Sequence, residues 1–154
     1  MSQETSRTGS CACGAVRYRV SGEAMSVHAC HCTDCQRLSG SAFGLSMVLK
    51  RSNLELTRGE VRVNEFSGSK NLMHRHHCEK CGVALWFSSP GYEGIIAVKP
   101  GTLDDTSGLQ PIAHMWYRSA QRWLQLADDI PVYQEQPEFE ELLALANKSG
   151  SCST

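Results

Sequence analysis

Seven cysteines of this 154-residue chain stand in short groups whose spacing suits metal ions. The groups are Cys11 with Cys13, Cys30 with Cys32 and Cys35, and Cys78 with Cys81. Thiolates that are two or three positions apart can converge on one ion, as structural zinc sites require. All-sulfur ligand sets suit Zn²⁺, and the spacing is not that of an iron–sulfur protein. The sequence therefore predicts bound zinc.

The seven thiols divide into four and three, and the residues leave two partitions open. The preferred one places Cys11, Cys13, Cys78 and Cys81 on one ion and Cys30, Cys32 and Cys35 on another. The alternative pairs Cys32 and Cys35 with Cys78 and Cys81, as in an ordinary zinc ribbon. Structural zinc takes four protein ligands, whereas catalytic zinc keeps one position free. The preferred partition thus predicts two Zn²⁺ per chain, one structural and one catalytic.

Charge and hydropathy limit the possible partners and location. Fifteen Lys and Arg residues face sixteen Asp and Glu residues, a net charge of −1 that does not favour nucleic acid. No stretch approaches the ~20 apolar residues that span a bilayer, and the polar N-terminus does not read as a signal peptide. We expect a cytoplasmic protein that does not contact membranes, in which thiols stay reduced; disulfides are the alternative if the chain is exported. Cys152 stands outside the pattern and is expected to be a bystander thiol.

Short strands are the predicted elements that position these cysteines. Alternating apolar residues, separated by Gly, Ser and Pro turns, predict strands at 16–20, 43–49, 54–57, 61–66, 72–76, 84–87 and 94–98. One helix is predicted near the C-terminus, with Pro137 in its first turn and Phe139, Leu142, Leu143 and Ala146 on one face. We expect a mainly β fold: a disordered segment 1–8, a single domain 9–147 and a flexible tail 148–154.

Three segments, 9–18, 28–40 and 77–82, contain the seven cysteines and resemble the glutathione-dependent formaldehyde-activating enzyme family. The resemblance spans roughly residues 9 to 105 and implies a β-tent fold of short antiparallel strands. It also implies that Cys11, Cys13, Cys78 and Cys81 hold the structural zinc and that Cys30, Cys32 and Cys35 hold the catalytic one. The implied reaction joins a small thiol, glutathione in the family, to an aldehyde such as formaldehyde; its reverse is a carbon–sulfur lyase reaction.

This chain departs from the best-known members at two positions beside the triplet. His31 replaces a glycine between two ligands, and Gln36 replaces a tryptophan after the third. His31 is interpreted as a hydrogen-bond donor or proton carrier, or else as a fourth ligand. The second hypothesis for the whole protein is a non-catalytic binding or chaperone module on the same fold, which predicts a fourth ligand from His31 or His28.

Other polar and aromatic residues have both a site and a structural interpretation. Arg37, Ser39 and Ser41 suit either a carboxylate-bearing substrate or a capped turn. His74, His76 and His77 are predicted to be surface or supporting groups, with the first two on one side of a strand. The aromatic residues could line a substrate wall or pack in the core: Phe43, Trp86, Phe87, Trp116, Tyr117 and Trp123.

Overall fold

A computed structural model describes residues 5–69, 71–127 and 129–150. Within these residues the fold is mainly β, as predicted, with ten short strands in two sheets and two α-helices. In chain order the elements are β1 Ser6–Ser10, β2 Arg17–Ser21, β3 Ser26–Cys30, α1 Thr33–Ser39, β4 Gly44–Lys50, β5 Leu54–Arg58, β6 Val61–Ser67, β7 Leu72–Cys78, β8 Ala84–Ser88, β9 Ile95–Val98, β10 Ala113–Met115 and α2 Phe139–Gly150. None of the described helices is long and apolar enough to span a membrane.

The chain divides into two compact units. Among the described residues, the first comprises those within 5–24 and 48–109, and the second comprises those within 25–47 and 110–150. Each cysteine group lies wholly within one unit, the group of four in the first and the group of three in the second. The single domain expected over 9–147 stays a prediction.

The first unit contains the three-stranded sheet β1-β2-β5 and the strand set β9-β8-β7-β6. Strand β2 pairs antiparallel with β1, placing Tyr18 opposite Gly9, and buries Tyr18 and Val20 on one face. The Tyr18 ring meets Trp86 of β8 edge-on, with ring centroids 6.5 Å apart. Strands β6, β7 and β8 pair antiparallel, so that β7 ends at Cys78 in the middle of the set.

The second unit is built around β3, which lies between β10 and β4. Strand β10 pairs with β3 in parallel, with Met115 opposite Cys30. A buried apolar cluster joins Cys30 to Met115, Trp116 and Leu142 of α2. Helix α2 therefore packs on this cluster through Leu142 of the predicted apolar face and through Leu145, which was not predicted, and this packing holds β3 and the triplet's first cysteine in place.

The predicted strands are present at all seven positions, with ends shifted by one or two residues. Strands β1, β3 and β10 and the short helix α1 were not predicted. Residues 6–8, expected in a disordered segment, belong to β1 because β2 gives their backbone a pairing partner. Residues 148–150, expected in a flexible tail, continue α2. Residues 1–4 and Cys152 lie outside the described residues.

Candidate metal centres

Two cysteine-bearing turns in the first unit form the group of four. Cys11 and Cys13 follow β1, while Cys78 ends β7 and Cys81 lies in the turn after it. The two turns are closed by equivalent backbone hydrogen bonds. The Cys11 N–H donates to the Val16 carbonyl, and the Cys78 N–H donates to the Val83 carbonyl. Each turn thereby aims both of its cysteines at the same point. We call this group the four-cysteine cluster.

The sulfur distances in the four-cysteine cluster match a tetrahedral metal site. The Sγ atoms of Cys11 and Cys13 are 3.6 Å apart, those of Cys13 and Cys78 are 3.8 Å apart, and all four lie within 4.8 Å of one another. Four sulfurs at the Zn–S length of about 2.3 Å around one ion would be separated by about 3.8 Å. Disulfide sulfurs would be about 2.05 Å apart. The donor set therefore fits a zinc ion.

Backbone N–H groups support negative charge on these sulfurs. Burial raises the pKa of Cys11, but the Val16 N–H, 3.3 Å from its Sγ, and the neighbouring thiols outweigh burial and lower it. The Val83 N–H, followed by the Cys13 N–H, lowers the pKa of Cys81 to about 6. The Ala15 N–H lowers the pKa of Cys13, yet the other sulfurs of the cluster raise it to about 11. Holding all four sulfurs as thiolates near neutral pH therefore requires a cation.

Strand β3 and helix α1 position the three-cysteine cluster, Cys30, Cys32 and Cys35, in the second unit. Cys30 is the last residue of β3, Cys32 caps the N-terminus of α1, and Cys35 lies in the first turn of that helix. Their sulfur atoms all lie within 4.8 Å of one another. The grouping into four and three is therefore that of the preferred partition, and the ribbon pairing does not occur.

The sulfurs of the three-cysteine cluster differ in how readily they lose a proton. Hydrogen bonds from the Cys30 and Cys35 thiols, with the Cys35 N–H at 3.3 Å, lower the pKa of Cys32 to about 2. Hydrogen bonds with the Cys32 and Cys35 sulfurs, followed by burial, raise the pKa of Cys30. The Cys32 sulfur therefore loses its proton easily, whereas the Cys30 sulfur loses its proton only beside a cation. This donor set also fits a soft divalent ion such as Zn²⁺.

The three-cysteine cluster has no fourth protein ligand among the described residues. No His, Cys, Asp or Glu side chain in that part of the chain joins the three sulfurs within 4.8 Å. His31 is fully buried, and its Nε2 lies 2.9 Å from Nδ1 of His114. His28 instead pairs with Ser26 through Nδ1, at 3.1 Å. The fourth ligand that a purely structural zinc site predicts is therefore not provided by either histidine.

His31 serves the packing behind the cluster rather than joining the three sulfurs. Its ring meets Phe43 and Tyr117, with centroids 5.3 and 5.6 Å away. Burial, followed by the charge of His114, lowers its pKa, so the ring is neutral. Its backbone N–H donates to the Met115 carbonyl at 2.9 Å. The residue thereby fixes the turn between two of the cysteines.

Gln36 ties the same turn to the segment after β10. Its Nε2 donates to the carbonyls of His31, at 2.8 Å, and Ser119, at 2.9 Å. Its Oε1 accepts from Gln121 Nε2 at 3.2 Å, and Gln121 Oε1 accepts from Trp123 Nε1 at 2.7 Å. The sequence singled out Gln36 only as a departure from the family. Nothing in the sequence indicates Gln121 as its partner, because the two are 85 residues apart.

The histidines before Cys78 are partly buried in the first unit. His74 pairs with Glu65 at 3.1 Å. His76 hydrogen-bonds Ser88 at 3.0 Å and stacks on Trp86 at 5.0 Å. Burial, followed by the charge of Arg51, lowers the pKa of His76. These are the supporting roles predicted for them.

The aromatic residues divide between core and surface. Trp86, Phe87 and Trp116 are buried, which agrees with a packing role, whereas Trp123 is 69% exposed. Ser39 donates to the Phe43 carbonyl at 2.9 Å and so caps the turn after α1. Arg37 is exposed. It and Ser41 are the residues suggested for a carboxylate-bearing substrate that do not cap this turn.

This chain is similar to known proteins. Residues 6–119 match the family model described as "Glutathione-dependent formaldehyde-activating enzyme". A Halomonas elongata protein named "Putative glutathione-dependent formaldehyde-activating enzyme" is 25% identical over 124 residues, which are 77% of this chain and 79% of that protein. A crystal structure of a Rhodobacter sphaeroides protein shares the fold, with a TM-score of 0.51 and 23% identity, over 68% of this chain and 91% of that one.

Proposed function

The chain belongs to the glutathione-dependent formaldehyde-activating enzyme family, and from this premise we propose that it joins a thiol to an aldehyde at the three-cysteine cluster. Glutathione and formaldehyde are the proposed substrates, and S-(hydroxymethyl)glutathione is the product. Read in the opposite direction, the activity is that of a carbon–sulfur lyase. Reduced thiols grouped as metal ligands favour the cytoplasm as the location.

The incomplete donor set of the three-cysteine cluster is the observation that carries the proposal. Cys30, Cys32 and Cys35 offer three sulfurs, and the described residues provide no fourth ligand atom. Zinc sites with three protein ligands leave one position for a substrate or water. The four-cysteine cluster, which has its full set, is proposed to be structural.

The reaction needs a thiolate, an aldehyde carbon and a proton donor. When bound, Zn²⁺ lowers the pKa of a coordinated thiol, so that the substrate sulfur is deprotonated near neutral pH. The sulfur attacks the carbonyl carbon, forming a C–S bond as the C=O π bond breaks and its electron pair moves to oxygen. A proton then reaches that oxygen to give the hydroxymethyl group, so the proton lost by the thiol is balanced by the one gained by the alcohol.

The chain's own residues orient the sulfurs of this site and cover it on one side. Backbone N–H groups at the start of α1 donate to Cys32 and orient its sulfur. Met115, Trp116 and Leu142 pack on Cys30 and exclude water from one side of the cluster. Three thiolates on a divalent ion leave a net negative centre, which disfavours activation of water and favours delivery of a thiol.

The proposal is tested by changing one cysteine in each cluster. Cys35→Ser is expected to lower bound zinc from two ions per chain to one, to leave the fold intact and to abolish catalysed exchange between glutathione and its hydroxymethyl adduct. Cys78→Ser is expected to unfold the first unit, because structural zinc contributes folding free energy. Zinc content, far-ultraviolet circular dichroism and exchange spectroscopy by NMR are the measurements.

Cys152→Ser is the matched control, since it removes a thiol that belongs to neither predicted group. It is expected to keep both ions and full activity. Full exchange activity in Cys35→Ser would refute the proposed reaction site.

A further inference from the structure

A groove of about 340 Å³ lies over strands β7, β8 and β9 of the first unit. We call it the Arg51 groove; its lining includes Arg51, His76, Trp86, Ser88, Tyr92 and Glu93. Its volume is within the range of about 300–1,000 Å³ that is usual for small-molecule sites. Among the described residues that line it there is no cysteine, and the three-cysteine cluster belongs to the other unit. The groove is therefore not part of either cysteine cluster.

The floor of the Arg51 groove is a single face of the sheet. Strand pairing places His74 opposite Ser88. It also places His76 opposite Trp86, and all four residues line the groove. His76 Nε2 and Ser88 Oγ are 3.0 Å apart, and His74 pairs with Glu65 at 3.1 Å. The histidine and serine side chains of the floor thus already have partners inside the protein, which leaves mainly flat ring surface for a ligand.

Aromatic rings provide the apolar contact surface of the groove. The His76 ring stacks on Trp86, with centroids 5.0 Å apart and an interplanar angle of 19°, so a ligand can contact only its other face or its edge. Tyr92, which is 51% exposed, lines the groove from the loop after β8. The N–H of Tyr92 donates to the Ser89 carbonyl at 3.0 Å, which closes a turn in this loop. Two rings with contact surface to offer suit a flat aromatic ligand.

Arg51 gives the groove an anchored positive charge. Its Nη1 donates to the Leu54 carbonyl at 2.9 Å, and its backbone N–H donates to the Gly94 carbonyl at 2.7 Å. No described carboxylate, including that of Glu93 in the lining, forms an ion pair with it. After burial, the Arg51 charge is the largest cause of the lowered pKa of His76, so its field reaches the floor of the groove. The Nε and Nη2 groups remain to bind a carboxylate through two parallel hydrogen bonds.

The charges in the lining favour a monoanion. One guanidinium balances one carboxylate, whereas a phosphate dianion would have a second negative charge that Glu93, in the same lining, opposes. The ligand class that fits both the charge and the rings is thus an aromatic carboxylate.

We propose that the Arg51 groove is a binding site for a small aromatic carboxylate, with Arg51 on the carboxylate and the rings of His76 and Tyr92 against the flat apolar body. The site is additional to the two cysteine clusters and does not depend on the proposed reaction.

Binding is measured by titrating the zinc-loaded protein with benzoate and following its backbone amide signals in NMR spectra. The signals of residues 88–96 are expected to shift saturably. Benzamide, which keeps the ring but has no charge, is expected to bind about 10-fold more weakly. Cyclohexanecarboxylate keeps the charge but is not flat, and it is expected to bind between about 2-fold and 10-fold more weakly. These comparisons of ligands need no change in the protein.

Variants test the same contacts from the side of the protein. Arg51→Gln is expected to weaken benzoate binding about 10-fold, and Arg51→Lys is expected to weaken it less, since lysine keeps the charge without the paired N–H groups. Tyr92→Ala is expected to weaken it between about 2-fold and 10-fold. Lys50→Gln is the matched control, because Lys50 is exposed and adjacent to Arg51 but does not line the groove. It is expected to bind benzoate as the unchanged protein does.

The site is independent of the reaction, so Cys35→Ser is expected to keep benzoate binding. Loss of binding in that variant would place the ligand at the cysteines and overturn a separate site. Absence of saturable shifts, or equal binding of benzoate by the unchanged protein and Arg51→Gln, would overturn the site. Equal binding of benzoate and benzamide would do the same. Tighter binding of inorganic phosphate or of cyclohexanecarboxylate than of benzoate would overturn the proposed ligand class.

Discussion

Replacing Gly59 by alanine tests how the fold supports the four-cysteine cluster. Gly59 lies in the turn between β5 and β6 with φ +73°, a left-handed conformation that costs alanine about 1 to 2 kcal/mol. A Cβ at this position would lie 2.3 Å from the Ala15 carbonyl oxygen and 3.2 Å from the Val16 Cα. Real Cβ atoms do not approach backbone oxygen so closely, so the segment carrying Ala15 must move.

The expected loss of stability is about 3 kcal/mol, because crowding in a packed region adds about 1 to 3 kcal/mol to the backbone strain. The displaced segment also supplies the N–H groups of Ala15 and Val16, which donate to the sulfurs of Cys13 and Cys11. Zinc in the four-cysteine cluster is therefore expected to pass faster to a competing chelator. Urea denaturation and chelator-monitored zinc release are the measurements.

Gly94→Ala separates the two contributions, since Gly94 has φ +74° but no atom within 4 Å of the added Cβ. It is expected to cost only the backbone strain and to leave zinc release unchanged. The reasoning is refuted if Gly59→Ala and Gly94→Ala are equally stable and release zinc at the same rate.

Three further predictions concern packing and pH. Tyr18→Phe is expected to cost about 1 kcal/mol in urea denaturation, since it removes the 2.7 Å hydrogen bond that the phenol donates to Thr102. Leu142→Ala, in the cluster behind Cys30, is expected to cost about 2 to 5 kcal/mol; a loss below 1 kcal/mol would contradict the buried position of this leucine. Burial lowers the pKa of His114 below its ordinary 6.5, so the unfolded chain takes up this proton first and stability falls as the pH drops below about 6.5. The difference in free energy of unfolding between His114→Asn and the unchanged protein is expected to move in favour of the variant as the pH is lowered from 7.5 to 5.5. A difference that stays constant over this range would contradict the lowered pKa of His114.

Local sequence patterns were sufficient to predict the strands in which apolar and polar residues alternate. Tyr18 and Val20 of β2 point to one face, and this period of two is visible without a structure. Strand β10 was missed because its three residues are all buried, which leaves no alternation to detect. Helix α1 was missed because seven residues are too few for an apolar stripe, and Cys32 caps it where a metal ligand is expected.

Contacts between distant segments could not be predicted from one sequence. The pairing of His31 with His114 depends on the parallel alignment of β3 with β10, and it joins residues 83 positions apart. The partnership of Gln36 with Gln121 has the same origin. By contrast, the convergence of cysteines within each short motif could be anticipated from their spacing, whereas the residues alone left open which motifs share an ion.

The number of sulfur ligands on zinc, measured by X-ray absorption with and without glutathione, tests the central claim most directly. The account predicts an average between three and four sulfurs per zinc in the free protein, since one cluster offers four and the other three. Adding glutathione is predicted to raise the average to four. An average of four sulfurs before glutathione is added, or a value that glutathione leaves unchanged, would contradict an open position at Cys30, Cys32 and Cys35.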